Sequence, residues 1–220
     1  MDLREIYRKN PFCVLSATPK DTRETLIRLQ GDLALFGDAA EASEALTCLL
    51  HPQNRLEAEM RWFPQTDQKL ISALFAWLDD PAPEKPMPRF ILPCHLANFN
   101  FTRLILSVLP IADTDGLHAV FRSLSVAADT LLPRQVLSEI NGDRVRAGFA
   151  LLDSPDAIQI QLGSLLQETV RFTLARCENT LIFHKKLSEK VKQDYTDRAS
   201  PYHNSRLMRI AAEELAQAAG

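Results

Sequence analysis

Apolar residues recur three or four positions apart in almost every segment of this 220-residue chain. In residues 22–36, the apolar positions are Leu26, Leu29, Leu33 and Phe36. This spacing places the side chains on one buried face of an α-helix, whereas a half-buried strand alternates every second residue. The chain is therefore predicted to be all-α. The same pattern is found in the following segments: residues 39–50, 53–63, 66–78, 89–109, 114–128, 133–140, 154–194 and 205–218.

The composition favours the same fold class. Strands are enriched in aromatic and β-branched residues, and aromatic residues make up only 7% of this chain. Glycine occurs 7 times in 220 residues, whereas its usual share is about 7%. Both values argue for helices and against a sheet-rich fold.

A proline-rich stretch, DDPAPEKPMP at residues 79–88, divides the helical pattern. It holds four prolines, and each proline fixes φ and removes a hydrogen-bond donor. No helix is expected to run through this stretch, so we interpret it as a long loop or linker. The predicted organisation is a small helical module at residues 1–65 followed by a larger helical domain at residues 66–220.

The C-terminal part begins with a strong signal for the start of a helix. Ser154 offers a hydroxyl cap, and Pro155 suits the first helical position. The helical pattern then continues to about residue 194, and one helix of that length would span about 60 Å. Such a helix either protrudes or bends near residues 179–180. The last segment, residues 205–218, is expected to pack back along it as a helical hairpin.

Two other helix boundaries stay open at the level of sequence. Pro93 leaves the start of the helix within residues 89–109 unsettled. A helix that begins at Pro133 either continues through the Asn141-Gly142 pair or ends there. In the second case, residues 143–152 form a separate short helix.

Cysteine usage and the N-terminal segment predict a compartment. The four cysteines are scattered, without a Cys-x-x-Cys pair, and the segment MDLREIYRKN is charged, unlike a signal peptide. No apolar run reaches the ~18 residues of a membrane-spanning helix. We therefore expect a cytoplasmic protein with reduced thiols and without membrane contact. A net charge of −3 does not favour nucleic acid as a partner.

Residues 10–63 carry several short motifs in a characteristic order. NPFCVL stands first, two helical segments at residues 22–36 and 39–50 follow, and HPQNRL comes after the second of them. In this order the segment resembles a J-domain, the helical module of Hsp40 co-chaperones, and the resemblance implies that fold. Degenerate versions that begin NPF and end RLxxExxWF occur at the start of uncharacterised bacterial proteins. The residues that carry this last match are Arg55, Leu56, Glu59, Trp62 and Phe63.

One departure from the J-domain pattern bears on activity. J-domains act on an Hsp70 through a His-Pro-Asp tripeptide in the loop between their second and third helices. In this chain the corresponding loop is Gly37-Asp38, without that tripeptide, and the His51-Pro52 pair lies one helix later and precedes Gln53. The resemblance therefore implies the module without its usual activating group.

The segment PCHLANFNF contains the polar residues most compatible with a pocket. His95 and Asn98 lie one turn apart and could line it beside Cys94. The alternative is a histidine at the edge of the core, hydrogen-bonded to the backbone or to an asparagine. A metal ion would need at least two further converging ligands, which the spacing does not offer. No metal, cofactor or catalytic residue is predicted.

Two groups of residues are candidates for contact with a partner. Aromatic residues gather where the two predicted parts meet, and their alternative role is to pack those parts together. A basic run lies near the C-terminus, and its alternative role is that of a solvated helix face. The residues of the two groups are Trp62, Phe63 and Trp77, and Lys185, Lys186 and Lys190.

These features favour a non-enzymatic protein-interaction or adaptor protein with an inactive J-like module. One alternative is a co-chaperone that contacts an Hsp70 without the His-Pro-Asp tripeptide. A second alternative is an enzyme of unknown reaction with a pocket in the second helical domain, near His95. A protein partner is expected, with an Hsp70 as one candidate and a second copy of this chain as another.

Overall fold

The computed structural model describes residues 3–79, 92–108, 113–175 and 181–218. These residues form twelve helices with connecting turns and contain no strand, so the predicted all-α fold is confirmed. The helices are α1 (Leu3–Arg8), α2 (Pro11–Val14), α3 (Arg23–Phe36), α4 (Ala39–Leu50), α5 (Pro52–Met60), α6 (Gln68–Asp79), α7 (His95–Val108), α8 (Thr114–Asp129), α9 (Pro133–Ala147), α10 (Pro155–Ala175), α11 (Leu181–Thr196) and α12 (Arg206–Ala218).

Most helices lie where the apolar spacing predicts them, and α1 is an addition that the sequence pattern did not indicate. The positions of α2 to α5 test the periodicity and not the resemblance to a J-domain, which stays a prediction. The proline-rich stretch begins at Asp79, the last residue of α6, and residues 80–88 lie outside the described part of the chain.

Helix α9 corrects the alternative in which the Asn141-Gly142 pair ends a helix. It continues to Ala147. Gly148 follows with φ 69°, a left-handed conformation that favours glycine because it has no Cβ, and this residue ends the helix. The side chain of Asn141 binds the backbone of Leu152, donating to its carbonyl at 3.0 Å and accepting from its N–H at 2.9 Å. Because this amide is engaged elsewhere, it does not compete with the helical backbone.

Helix α7 begins two residues after Pro93. Its first N–H groups have no partner within the helix, and the Glu139 carboxylate of α9 accepts from the backbone of His95 at 3.0 Å and of Leu96 at 3.1 Å. A side chain of a distant helix therefore caps α7 and fixes where it starts.

Two helices, α10 and α11, occupy the region of the long C-terminal pattern. The expected cap is present, because Ser154 Oγ accepts from the N–H of Asp156 at 3.1 Å. The bend expected near residues 179–180 lies outside the described residues. Helix α12 packs against α11 and also contacts α8 and α10.

One cluster of buried apolar side chains runs through the molecule. It includes Tyr7 and Phe12 from the first two helices, Phe99 and Phe121 from the middle of the chain, and Leu215 from α12. The N-terminal helices therefore share a core with the C-terminal ones.

Polar side chains also cross the boundary that the sequence predicts at residues 65 and 66. Glu59 of α5 accepts hydrogen bonds from Arg55 at 2.8 Å and from Arg144 of α9 at 2.7 Å. The three side chains are at most 4% exposed. The N–H of Gln65 donates to Asp143 at 2.6 Å. Helices α5 and α9 are thus joined by a buried ionic network.

Candidate functional site

Helices α3 and α4 form a hairpin that carries the most exposed apolar side chains of the described residues. Helix α3 packs against α4 and buries only Leu26 completely. At the far end of the hairpin, residues 35–41 are all exposed, and we call these seven residues the tip. Within the tip, Leu35 is 76% and Phe36 is 92% exposed.

The exposure of Phe36 corrects a sequence-based expectation. Its spacing from Leu26, Leu29 and Leu33 predicts a position on the buried face, and the latter two are indeed partly buried against the core. Phe36 is the last residue of α3, however, and the chain reverses immediately after it. The signal that marks this position in the sequence is a large aromatic residue directly before the Gly37-Asp38 loop.

Local interactions fix the turn at the tip. The N–H of Gly37 donates to the carbonyl of Leu33 at 2.8 Å, and a Cβ at Gly37 would lie 2.9 Å from the Leu33 side chain. Asp38 caps α4 by accepting from the N–H groups of Ala40 and Glu41 at 2.9 and 3.1 Å. The sequence Gly-Asp therefore ends one helix and begins the next within two residues.

The surroundings of Phe36 are acidic. Asp38 and Glu41 are exposed within the tip, and Asp32 lies one helical turn before Phe36. Asp32 forms an exposed ion pair with Arg28 at 3.2 Å. The tip thus combines two exposed apolar side chains with acidic residues nearby in the sequence.

The aromatic residues of the predicted junction lie in the core. Trp62 and Phe63 are 0% exposed. The ring of Trp62 stacks on Phe12 and Phe75 at centroid distances of 6.2 and 6.1 Å, and Phe63 stacks on Tyr7 at 5.4 Å. Trp77 is partly buried against the same core. This geometry favours the packing alternative for these residues.

The two residues considered for a pocket are engaged at the start of α7. His95 Nδ1 lies 3.0 Å from the Glu139 carboxylate and 2.7 Å from Gln135. Asn98 donates to the carbonyls of Leu92 and Cys94 at 3.3 and 2.8 Å. Both side chains therefore stabilise the start of the helix. His95 binds a glutamate and a glutamine, and not the backbone or an asparagine as the alternative expects.

Cys94 lies next to His95 but is not arranged as a nucleophile. Its side chain is buried, and burial raises the pKa of the thiol to about 12. The thiolate is the reactive form of cysteine, so this group stays protonated at neutral pH.

The basic run divides in the structure. Lys185 and Lys186 are exposed on α11, and Lys190, one turn later, forms an ion pair with Asp115 of α8. Lys190 therefore connects two helices, whereas the other two lysines lie on a solvated face.

A polar cleft of about 560 Å³ lies between α8 and α11, and no sequence pattern described above predicts it. At its floor, the Asp194 carboxylate accepts from Arg122 at 2.7 and 2.9 Å and lies 2.8 Å from His118 Nε2. The hydrogen bond from Arg122 lowers the pKa of Asp194, and burial lowers the pKa of His118. The ion pair of Asp194 with Arg122 and its contact with His118 hold α11 against α8. His118 and Arg122 stand four residues apart, which is the only local signal of this cluster.

No known protein family, curated protein or solved structure matches this chain. Within the described residues, no group of three or more histidine, cysteine, aspartate or glutamate side chains is arranged to hold a metal ion. None of the helices in that part of the chain is both long and apolar enough to cross a membrane. The tip of the hairpin is the feature with the clearest functional content.

Proposed function

We propose that this protein is a non-enzymatic protein-interaction or adaptor protein that holds its partner through the tip of the α3–α4 hairpin. The observation that carries this proposal is the 92% exposure of Phe36 at the end of a projecting hairpin. Burial of a phenylalanine side chain contributes about 1.5–3 kcal/mol. Aromatic residues are also enriched at the centres of protein interfaces.

The charges around Phe36 define the complementary surface. Three exposed acidic residues, Asp32, Asp38 and Glu41, lie within five residues of Phe36 in the sequence. A partner that fits the tip has an apolar pocket for the Phe36 ring, and lysine or arginine side chains at the rim of that pocket. Such charges bring the two surfaces into register and raise the association rate.

The resemblance to a J-domain supports the same proposal. The hairpin occupies the segments that the resemblance assigns to the second and third helices of the module, and its loop is Gly37-Asp38. A module of this kind without its His-Pro-Asp tripeptide is suited to docking without activation of an Hsp70 ATPase. The apolar residue that precedes the loop then takes over the contact.

The test compares the wild-type chain with two matched variants. Phe36→Ser removes the aromatic ring of the tip, and Ile160→Ser removes another exposed apolar side chain, 71% exposed on α10. Each tagged protein captures partners from a lysate of its source, with and without ATP, and mass spectrometry identifies a stoichiometric partner. The affinity of that purified partner is then measured by calorimetry.

We expect the partner to bind the wild type and Ile160→Ser equally, and Phe36→Ser about 10- to 100-fold more weakly. Equal melting temperatures show that the variants are folded. A partner that binds Phe36→Ser as tightly as the wild type, or the absence of any stoichiometric partner, contradicts the proposal. An Hsp70 whose ATPase activity is stimulated by the chain would instead assign it as a co-chaperone.

A further inference from the structure

A second apolar surface lies on the outer side of α3. Ile27, Gly31 and Leu35 are each four residues apart, which places them on one side of a helix. Ile27 is 48% and Leu35 is 76% exposed. Leu26, on the side facing α4, is 0% exposed. We call Ile27, Gly31 and Leu35 the outer stripe.

Neither packing nor backbone conformation within the described residues requires a glycine in the middle of this stripe. A Cβ added at Gly31 would meet no atom within 4 Å, and the residue lies inside a regular helix, without a positive φ. Glycine inside a helix costs about 1 kcal/mol relative to alanine. Between two exposed apolar side chains, it leaves a notch in which another helix can approach the backbone closely.

We propose that the outer stripe is a self-association surface, through which two copies of this chain pair in antiparallel orientation about a two-fold axis at Gly31. Ile27 and Leu35 lie equally far from Gly31 on either side. In an antiparallel pair, Ile27 of each copy therefore faces Leu35 of the other. A two-fold interface uses the same patch twice, and the patch must be complementary to itself.

The charges beside the stripe meet this requirement. Arg28 lies three residues before the two-fold axis, and Asp32 lies one residue after it. The two positions are about 40° apart around the helix, so both side chains lie on the same flank. In the antiparallel pair, Asp32 of the second copy is therefore displaced by only about 3 Å, measured along the helix axis, from Arg28 of the first copy. Both side chains are exposed, at 65% and 60%. The symmetry forms this ion pair twice.

The paired helices leave Phe36 free, although Leu35, the first residue of the tip, lies in the interface. Phe36 lies about 140° around the helix from Gly31, so the dimer presents two copies of Phe36 to its surroundings. Helix α3 has 14 residues and is about 21 Å long, which limits the contact to the lower range of protein interfaces. We therefore expect a reversible dimer that dissociates on dilution.

Sedimentation velocity of the full chain over a range from about 1 to 200 µM tests this inference. We expect the wild type to shift from monomer to dimer, and Leu35→Ser and Gly31→Leu to weaken the dimer at least tenfold. Gly31→Leu fills the notch from a position where a Cβ meets no atom within 4 Å, and leucine is a better helix former than glycine, so its melting temperature should not fall. Phe36→Ser and Ile160→Ser should dimerise like the wild type, which separates the outer stripe from the contact made by Phe36.

A charge reversal distinguishes the antiparallel pairing from other contacts. Arg28→Asp and Asp32→Arg each place like charges opposite one another in a symmetric dimer, so each variant alone should stay monomeric. An equimolar mixture of the two restores opposite charges across the axis and should form a heterodimer. A wild type that is monomeric at all concentrations overturns the proposal, as does a dimer that Gly31→Leu leaves unchanged or a mixture that does not associate.

Discussion

Glu59 lies in the core between two guanidinium groups. Its carboxylate is 1% exposed and contacts Arg55 and Arg144, while Arg55 also lies 3.6 Å from the ring centroid of Phe149. Burial lowers the pKa of Arg55. Transfer of such charges from water is costly, and the attraction between them offsets that cost only while every partner is present. Arg55 and Glu59, two of the residues on which the predicted resemblance to a J-domain rests, thus act here as structural residues.

Replacement of this carboxylate should be severely destabilising. In Glu59→Gln, two buried arginines lose their counter-charge, and we expect the free energy of unfolding to fall by about 3–5 kcal/mol. Guanidinium chloride unfolding followed by circular dichroism measures this change. The control is Glu213→Gln, which removes an exposed ion pair with Arg209 and should cost less than about 1 kcal/mol. Similar losses for the two variants would show that the buried network contributes no more than a surface pair.

At the scale of elements, the junction of α8 and α11 depends on protonation. Asp194 of α11 binds Arg122 and His118 of α8. Burial, together with the neighbouring Arg122, lowers the pKa of His118. The unfolded chain therefore takes up a proton on this histidine at a higher pH than the folded chain does. The contribution of neutral His118 to the free energy of unfolding is complete above the ordinary histidine pKa of about 6.5. It is lost as the pH falls through the lower pKa that His118 has in the folded chain.

We expect the free energy of unfolding to decrease between about pH 7 and pH 5, with a shallower decrease in His118→Gln. The amide of glutamine cannot titrate but can still donate to Asp194. Denaturant unfolding at a series of pH values gives the two slopes. Ser123→Ala, at an exposed position of α8, is the control for changes in the helix itself. Identical slopes for the wild type and His118→Gln would exclude His118 as a source of the pH dependence.

Local sequence patterns are sufficient to predict most of the helices, but they do not predict which distant residues each helix contacts. Periodicity and capping residues placed α3 and α4 within one residue of their ends, because both act within about one helical turn. The Asn141-Gly142 pair did not end α9, since the Asn141 side chain binds Leu152 and Gly142 lies against Gln65, whose Nε2 would be 3.3 Å from a Cβ added at Gly142. Such contacts depend on tertiary packing, which a local pattern does not encode.

The same limit applies to the candidate sites. His95 was visible as a polar residue beside an apolar segment, but its partner Glu139 lies 44 residues away. The apolar pattern places Phe36 on the buried face because the pattern cannot indicate where the neighbouring helix stops. Periodicity identifies a face of a helix, and only the fold determines whether another element covers it.

At the scale of the whole molecule, several contacts join the first 65 residues to the rest. The hydroxyl of Tyr7 donates to the carbonyl of Asn100 at 3.1 Å, and the Asn100 side chain donates to the carbonyls of Met60 and Trp62 at 3.0 and 2.6 Å. Glu168 of α10 accepts from Arg61 at 3.0 Å. With Glu59 and Arg144, these contacts tie both ends of the N-terminal part to later helices. Separate folding of the two predicted parts would break all of them.

We therefore expect the chain to unfold in one cooperative transition and a fragment of residues 1–65 to stay unfolded alone. The two tryptophans, Trp62 and Trp77, lie on either side of the predicted boundary. Trp77→Phe isolates the fluorescence of Trp62, and its denaturant midpoint should coincide with that of the far-ultraviolet circular dichroism. The calorimetric and van't Hoff enthalpies should also agree. Two separate transitions, or a fragment that is helical and has dispersed amide resonances, would instead establish residues 1–65 as an independent domain. The contacts with residues 66–220 would then join two domains that each fold without them.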